Sequence, residues 1–169
     1  MKFLVTVLVL MFNVSAFTQT KKDSSAPYLK YPNTPTIKII TSISGTDTTW
    51  FTNAQLPKNK TIAIIYFSPE CGHCQYEAKE LVKVKEQLDN IFFVWVSYYP
   101  VSDNTAFKEK YQLNKIPNMV VGRDPKYFIP AFFKVEFTPY MAIYKNDKFY
   151  KEFREGAKPE EIIEAAKEN

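Results

Sequence analysis

Apolar residues fall along the chain in short blocks whose spacing changes from one block to the next. Phe3 to Phe12 is apolar apart from Thr6, follows Lys2, and leads into the small residues of Val14-Ser15-Ala16. That order predicts a secretory signal peptide over residues 1–16, cut after Ala16. The run is shorter than the roughly 20 residues of a membrane span, so no membrane insertion is expected after cleavage; an uncleaved N-terminal anchor is the alternative. Residues 17–34 are polar and read as a linker or mobile start. Residues 35–169 carry the pattern of one domain.

Ile37, Ile39, Ile40 and Ile43 precede a Ser44-Gly45-Thr46-Asp47 turn, and Thr48 to Phe51 resumes a strand, which predicts a β-hairpin. Thr61 to Phe67 and Ile91 to Tyr98 are apolar without alternation, as in strands buried on both faces. Between them Ala78, Leu81, Val82 and Leu88 recur at helical spacing among Lys79, Lys83 and Glu86, predicting a helix from Cys71 to about Asn90. A shorter helix is expected over 104–113, capped by Ser102 or Asp103. Residues 117–135 read as an irregular insert with an extended piece at 119–121 and a helical turn or two from Lys126. Tyr140 to Tyr144 and Phe149 to Phe153 flank Asn146-Asp147, a second hairpin. Pro159 opens a last helix to Lys167. This order predicts an α/β fold: a central mixed β-sheet flanked by helices, with an N-terminal β-hairpin extension. The two central strands are expected to be parallel, joined by a right-handed crossover.

Composition narrows the function classes. The net charge is +4, loss of Lys2 with the leader leaves +3, and the basic residues are interleaved with acidic ones. This argues against nucleic acid as a partner. Four glycines, none clustered, leave no phosphate cradle.

The chemistry concentrates in Phe67-Ser68-Pro69-Glu70-Cys71-Gly72-His73-Cys74, where a buried strand hands over to a helix. Cys71 falls at the helix N-terminus, where unpaired amides and the macrodipole favour an anion. A thiolate there is a nucleophile near neutral pH. His73, when protonated, adds positive charge beside it. A structural disulfide is the competing reading, but so short a loop gives the least entropic benefit. Half of a zinc site is another, although two cysteines and one histidine do not supply four ligands. No cofactor or metal is expected.

Strand, Cys-x-x-Cys, helix, strand, Thr138-Pro139, hairpin, helix resembles the thioredoxin-like superfamily over about residues 35–167. Cys71-Gly72-His73-Cys74 is the tetrapeptide typical of protein disulfide isomerases. Glu77, three residues after the second cysteine, and Leu81 resemble exported bacterial TlpA/ResA-type thiol-disulfide oxidoreductases, with Ala78 where that group commonly has Pro. The resemblance implies a cis Thr138-Pro139 bond beside the redox pair, binding substrate backbone, with Cys71 as nucleophile and Cys74 as resolving thiol. Two departures stand out. Glu70 replaces the usual tryptophan, and Ile65 aligns with the buried Asp of thioredoxin. Glu77, on the helix face of Cys74, is the candidate substitute base, or else an ordinary surface glutamate.

The expectation is therefore an enzyme of a periplasmic or otherwise exported compartment, exchanging dithiols and disulfides with protein substrates and a redox partner, as a monomer. A peroxiredoxin-like peroxide reductase is one rival: Ser68 fits its demand for a hydroxyl three residues before the nucleophile, whereas Ile64 stands where it needs Pro. A copper-delivery module is the other, and it lacks a distal histidine.

Overall fold

The computed structural model describes residues 25–167; the predicted signal peptide lies outside them. Seven strands, β1 (Lys38–Ser44), β2 (Asp47–Thr52), β3 (Thr61–Tyr66), β4 (Ile91–Ser97), β5 (Met119–Arg123), β6 (Tyr140–Lys145) and β7 (Lys148–Phe153), form one sheet. Their spatial order is β2-β1-β5-β4-β3-β6-β7. β3, β4 and β5 are mutually parallel neighbours; β6 and β1 join them antiparallel on either side. Among the described residues, five α-helices accompany the sheet: α1 (Pro27–Lys30), α2 (Gly72–Lys83), α3 (Val101–Lys110), α4 (Phe128–Phe133) and α5 (Pro159–Lys167).

The unbroken apolar runs follow from burial on both faces of the sheet. Ala63 and Ile65 of β3, Phe93 and Trp95 of β4, and Met141 and Ile143 of β6 face one core with Cys74, Ala78 and Leu81 of α2 and Ile162 of α5. Their strand neighbours Ile62, Ile64, Val94, Val96, Ala142 and Tyr144 face a second core closed by Tyr28 of α1 and Phe132 and Phe133 of α4. Both faces of the central strands are thus dry, and no polar alternation survives. The β6–β7 hairpin turns at Asn146 and Asp147, both at positive φ (47° and 63°), which asparagine and aspartate tolerate best among non-glycine residues.

Several expectations are corrected. The end of the expected linker belongs to the domain. Pro27 starts α1, and Tyr28 is buried with its ring 4.7 Å from Phe149 and 5.6 Å from Phe133. Asn33 donates to Asp147 at 2.8 Å. Two buried residues, Ala26 and Tyr28, in so short a segment set up no period, yet they dock it. The 117–135 insert is instead largely integral, because β5 is an interior strand between β4 and β1. Helix α2 is shorter than expected. It stops at Lys83, followed by a 3₁₀ turn at Lys85–Gln87 that brings Leu88 into the core. Helix α3 begins three residues early and has no side-chain cap. The carbonyl of Pro100 accepts from Asp103 and Asn104 instead, at 3.1 Å each. That leaves Asn104 buried and 2.6 Å from Ser97 Oγ, locking the end of β4.

Candidate active site

β3 delivers the chain to the surface at Ser68-Pro69, and Cys71 becomes the N-cap of α2 with extended backbone (φ −75°, ψ 119°). Its carbonyl accepts from Gln75 at 3.0 Å, and its Sγ accepts from the Cys74 N–H at 3.5 Å. A sulfur thus takes the place of a capping oxygen, and the first-turn amides converge on it. Burial pushes the Cys71 thiol up. Hydrogen bonds to the sulfur from the Cys74 amide and side chain, the Thr138 side chain and the His73 amide outweigh that penalty, and the net displacement is downward. Cys74, one turn inside, is fully buried, and desolvation drives its thiol far upward. Both cysteines are free thiols. Position in the helix, with Thr138 beside the first sulfur, gives the pair its asymmetry: one sulfur half-exposed and held down in pKa, the other enclosed and hard to ionise.

The Thr138-Pro139 bond is cis, and it aims the Thr138 carbonyl at Cys71, 3.3 Å from Sγ. His73 is exposed, and its backbone N–H is among the groups that hold the Cys71 sulfur's pKa down. Across the site Tyr99 donates to the Glu70 carboxylate at 2.9 Å, so the glutamate in the tryptophan position is held by an aromatic hydroxyl.

Glu77 is not a surface residue. It is 4 % exposed, with Oε2 accepting from the Ala157 N–H at 3.1 Å and Oε1 buried without a partner. Desolvation raises its carboxyl to about 7, the single amide opposing. Cys74 and Glu77 share the buried face of α2, and Ile65 stands in the same core as Cys74. Sequence reasoning missed the loop that holds Glu77. Gly156 sits at φ +86°, and a Cβ there would lie 2.7 Å from Glu77 Oε2 and 3.0 Å from Pro139 Cγ. Only glycine permits that approach. A glycine between a strand and a proline-started helix signalled a turn, but nothing local signalled a contact 80 residues away in sequence.

Cys71, His73, Glu77, Thr138 and Pro139 therefore gather around one end of α2, and the structure brings together every candidate of the sequence. Among the described residues, no cluster of three or more His, Cys, Asp or Glu side chains could hold a metal ion, and no helix is long and apolar enough to cross a membrane.

The chain is 31% identical to the protein disulfide-isomerase MPD1 of Saccharomyces cerevisiae over 68 residues, 40% of this chain but only 21% of the yeast protein. Among solved structures, it resembles a secreted disulfide oxidoreductase of Mycobacterium tuberculosis. The TM-score is 0.61 at 21% identity, over 77% of this chain and 93% of the other. A Plasmodium vivax 2-Cys peroxiredoxin also matches with TM-score 0.61, at 15% identity over 78% of this chain and 76% of its own. At such identities the two structures establish the fold, which disulfide and peroxide chemistries share. The thioredoxin family model matches residues 40–132, more than half of the chain and inclusive of both cysteines. The chain belongs to the thioredoxin family.

Proposed function

We propose that this protein is an exported thiol-disulfide oxidoreductase acting on protein substrates, with Cys71 attacking and Cys74 resolving. The observation that carries the reading is the asymmetry of the pair: an accessible, acidified Cys71 capping α2 beside a buried Cys74 whose thiol is pushed up. In the reductive direction the Cys71 thiolate attacks one sulfur of a substrate disulfide. A mixed disulfide forms, and the other substrate sulfur leaves as a thiolate and takes a proton. Cys74 then gives up its proton, attacks Cys71 Sγ and releases the second substrate thiol. Two electrons and two protons pass from the pair to the substrate, and the reverse sequence oxidises a substrate dithiol. A redox partner protein restores the pair, and no cofactor takes part.

Each neighbour has a role in this scheme. The amides of His73 and Cys74 stabilise the thiolate. Thr138 and Pro139 offer a backbone edge to an extended substrate segment. Glu77, poised near 7, accepts the Cys74 proton in the second step. The apolar run ending at Phe12 and the small residues before Ala16 support export, in keeping with the secreted mycobacterial neighbour. The N-terminal sequence of the protein recovered from producing cells tests that part, with Phe17 expected first.

The main test uses Cys74→Ser and a peptide disulfide. A peptide–Cys71 adduct should accumulate and be seen by mass, while Cys71→Ser should form none. An adduct on Cys74 in Cys71→Ser, with Cys71 inert, would reverse the roles. The peroxiredoxin likeness and Ser68 favour peroxide reduction as a second reading. Hydrogen peroxide consumption in the same preparation decides between them, and Ile64 in β3 weighs against it.

A further inference from the structure

Beside the redox pair lies an open groove of about 580 Å³, bounded by α2 on one side and, on the other, by residues 155–161, the loop after β7 and the start of α5. His73 and Pro139 form its end nearest the cysteines. Glu80, Glu155, Glu160 and Glu161 line it, against one lysine, Lys158. Glu80 pairs with Lys83, and Glu161 receives the Lys158 N–H in a local cap. Glu155 and Glu160 are exposed and, among the described residues, have no ion-pair partner. The groove is thus acidic on a chain whose net charge is +4. A second observation points to a ligand: Glu77 lines the same groove, 4 % exposed, with Oε1 unpartnered.

We infer that this groove receives a basic segment of the substrate polypeptide, lysine or arginine residues flanking the reacting cysteine. Its size falls within the range of about 300–1,000 Å³ that takes ligand groups. Its position fits a flanking segment: Thr138 faces Cys71 Sγ, and Pro139, the next residue, forms the groove's end. A substrate held along that backbone edge runs its neighbouring residues between α2 and residues 155–161. A lysine or arginine there donates to carboxylates at the rim and meets Glu77 deeper in. No tight set of metal ligands competes for the place among the described residues. A spread of carboxylates around an open groove suits a flexible cationic chain and also steers its approach. The inference rests on the thiol-disulfide reading above.

The test compares two disulfide peptides, identical except that Lys and Arg flank one cysteine in the first and Gln and Ser in the second. Rates of reduction by the reduced protein are each divided by the rate with dithiothreitol, which removes any difference in intrinsic disulfide reactivity. We expect the basic peptide to be favoured about tenfold at low salt. The preference should shrink towards unity at about 0.5 M salt, where charges are screened within a few ångströms. In Glu155→Gln/Glu160→Gln the low-salt preference should fall at least about threefold. Equal normalised rates for the two peptides in wild type would overturn the inference alone. So would a preference that the double variant leaves intact, since it would arise elsewhere. Reduction of neither peptide would bring down the thiol-disulfide reading itself, and the inference with it.

Discussion

Replacing Glu77 by Gln should flatten a pH dependence that is present in the wild-type protein. The carboxyl stands at 4.5 in the unfolded chain and at about 7 in the fold, raised by burial. Between those values the folded state holds a proton that the unfolded state has released. Stability contributed by the protonated group is therefore fully present below 4.5 and is lost as pH rises towards 7 and beyond. A displacement of that size corresponds to roughly 3 kcal/mol at pH 7. Glutamine keeps the acceptor for the Ala157 N–H but cannot titrate. It places an amide where Oε1 now lacks a partner, a cost to the variant of about 1–3 kcal/mol that does not change with pH. The slope is thus the informative quantity. Urea unfolding of both reduced proteins, at intervals from pH 4 to 7, should show Glu77→Gln gaining roughly 3 kcal/mol relative to wild type across the window. A difference that stays constant with pH would mean that Glu77 is not a strained, buried acid, and the argument from burial would fail.

The same substitution reads out the chemistry. In wild type, release of the mixed disulfide should accelerate as pH rises through about 7, where Glu77 becomes ionised and able to take the Cys74 proton. Glu77→Gln should lose that limb while its first attack on substrate persists. General-base assistance is worth about 100- to 10,000-fold, and water reaching the groove lowers that ceiling. Resolution at the wild-type rate across this range would leave Glu77 with a structural role only.

Brief alkylation of the reduced protein at neutral pH should label Cys71 and spare the buried Cys74; mass mapping showing label chiefly on Cys74 would contradict the geometry. His73→Pro deletes the backbone N–H that stabilises the Cys71 sulfur, whereas His73→Ala keeps it. The Pro variant should therefore show the higher Cys71 pKa and the more reducing couple of the two, measured against glutathione, and equal values would mean that the His73 N–H does not hold the sulfur's pKa down. Gly156→Ala forces a Cβ to within 2.7 Å of Glu77 Oε2 at a φ of +86°. A loss of about 1–3 kcal/mol is expected from the backbone conformation alone, read from the urea midpoint.

Where hydrophobic spacing was decisive, the fold was legible. The unalternating runs of β3 and β4 announced a parallel pair buried on both faces, and the turn residues at 146–147 placed the β6–β7 hairpin. What escaped was whatever depended on a single distant contact. Tyr28 docks α1 through two aromatic rings, and a helix of four residues is too short to display a period. Three short apolar residues at 119–121 looked peripheral because strand length, not position in the sheet, is what the sequence displays. Their place between β4 and β1 is a property of topology. The α3 start was misjudged because Ser102 and Asp103 are good caps, yet Pro100 already supplies the carbonyl that the first helical amides require.

The candidate site divides in the same way. Cys71 and Cys74 could be read locally, since a Cys-x-x-Cys at a strand-to-helix junction fixes which sulfur meets the helix amides. Glu77 could not, because a glutamate on an amphipathic helix is buried or exposed according to what packs over it. Here the cover comes from Gly156 and Ala157, 79 and 80 positions further on. The absence of a Cβ at Gly156 lets that turn close on the carboxylate and on Pro139 together. Ile65 completes the logic. Ile65 of β3 is apolar, so the core around Cys74 has no carboxylate from that position, and α2 itself supplies one, a helical turn from the sulfur. A carboxylate in that place is bonded to the Ala157 amide in the turn after β7, and that turn also abuts Pro139. Glu77, Pro139 and the start of α5 are thereby tied to one small loop. Displacing Glu155-Gly156-Ala157 should consequently disturb resolution and substrate docking together, while leaving the amides that acidify Cys71 untouched.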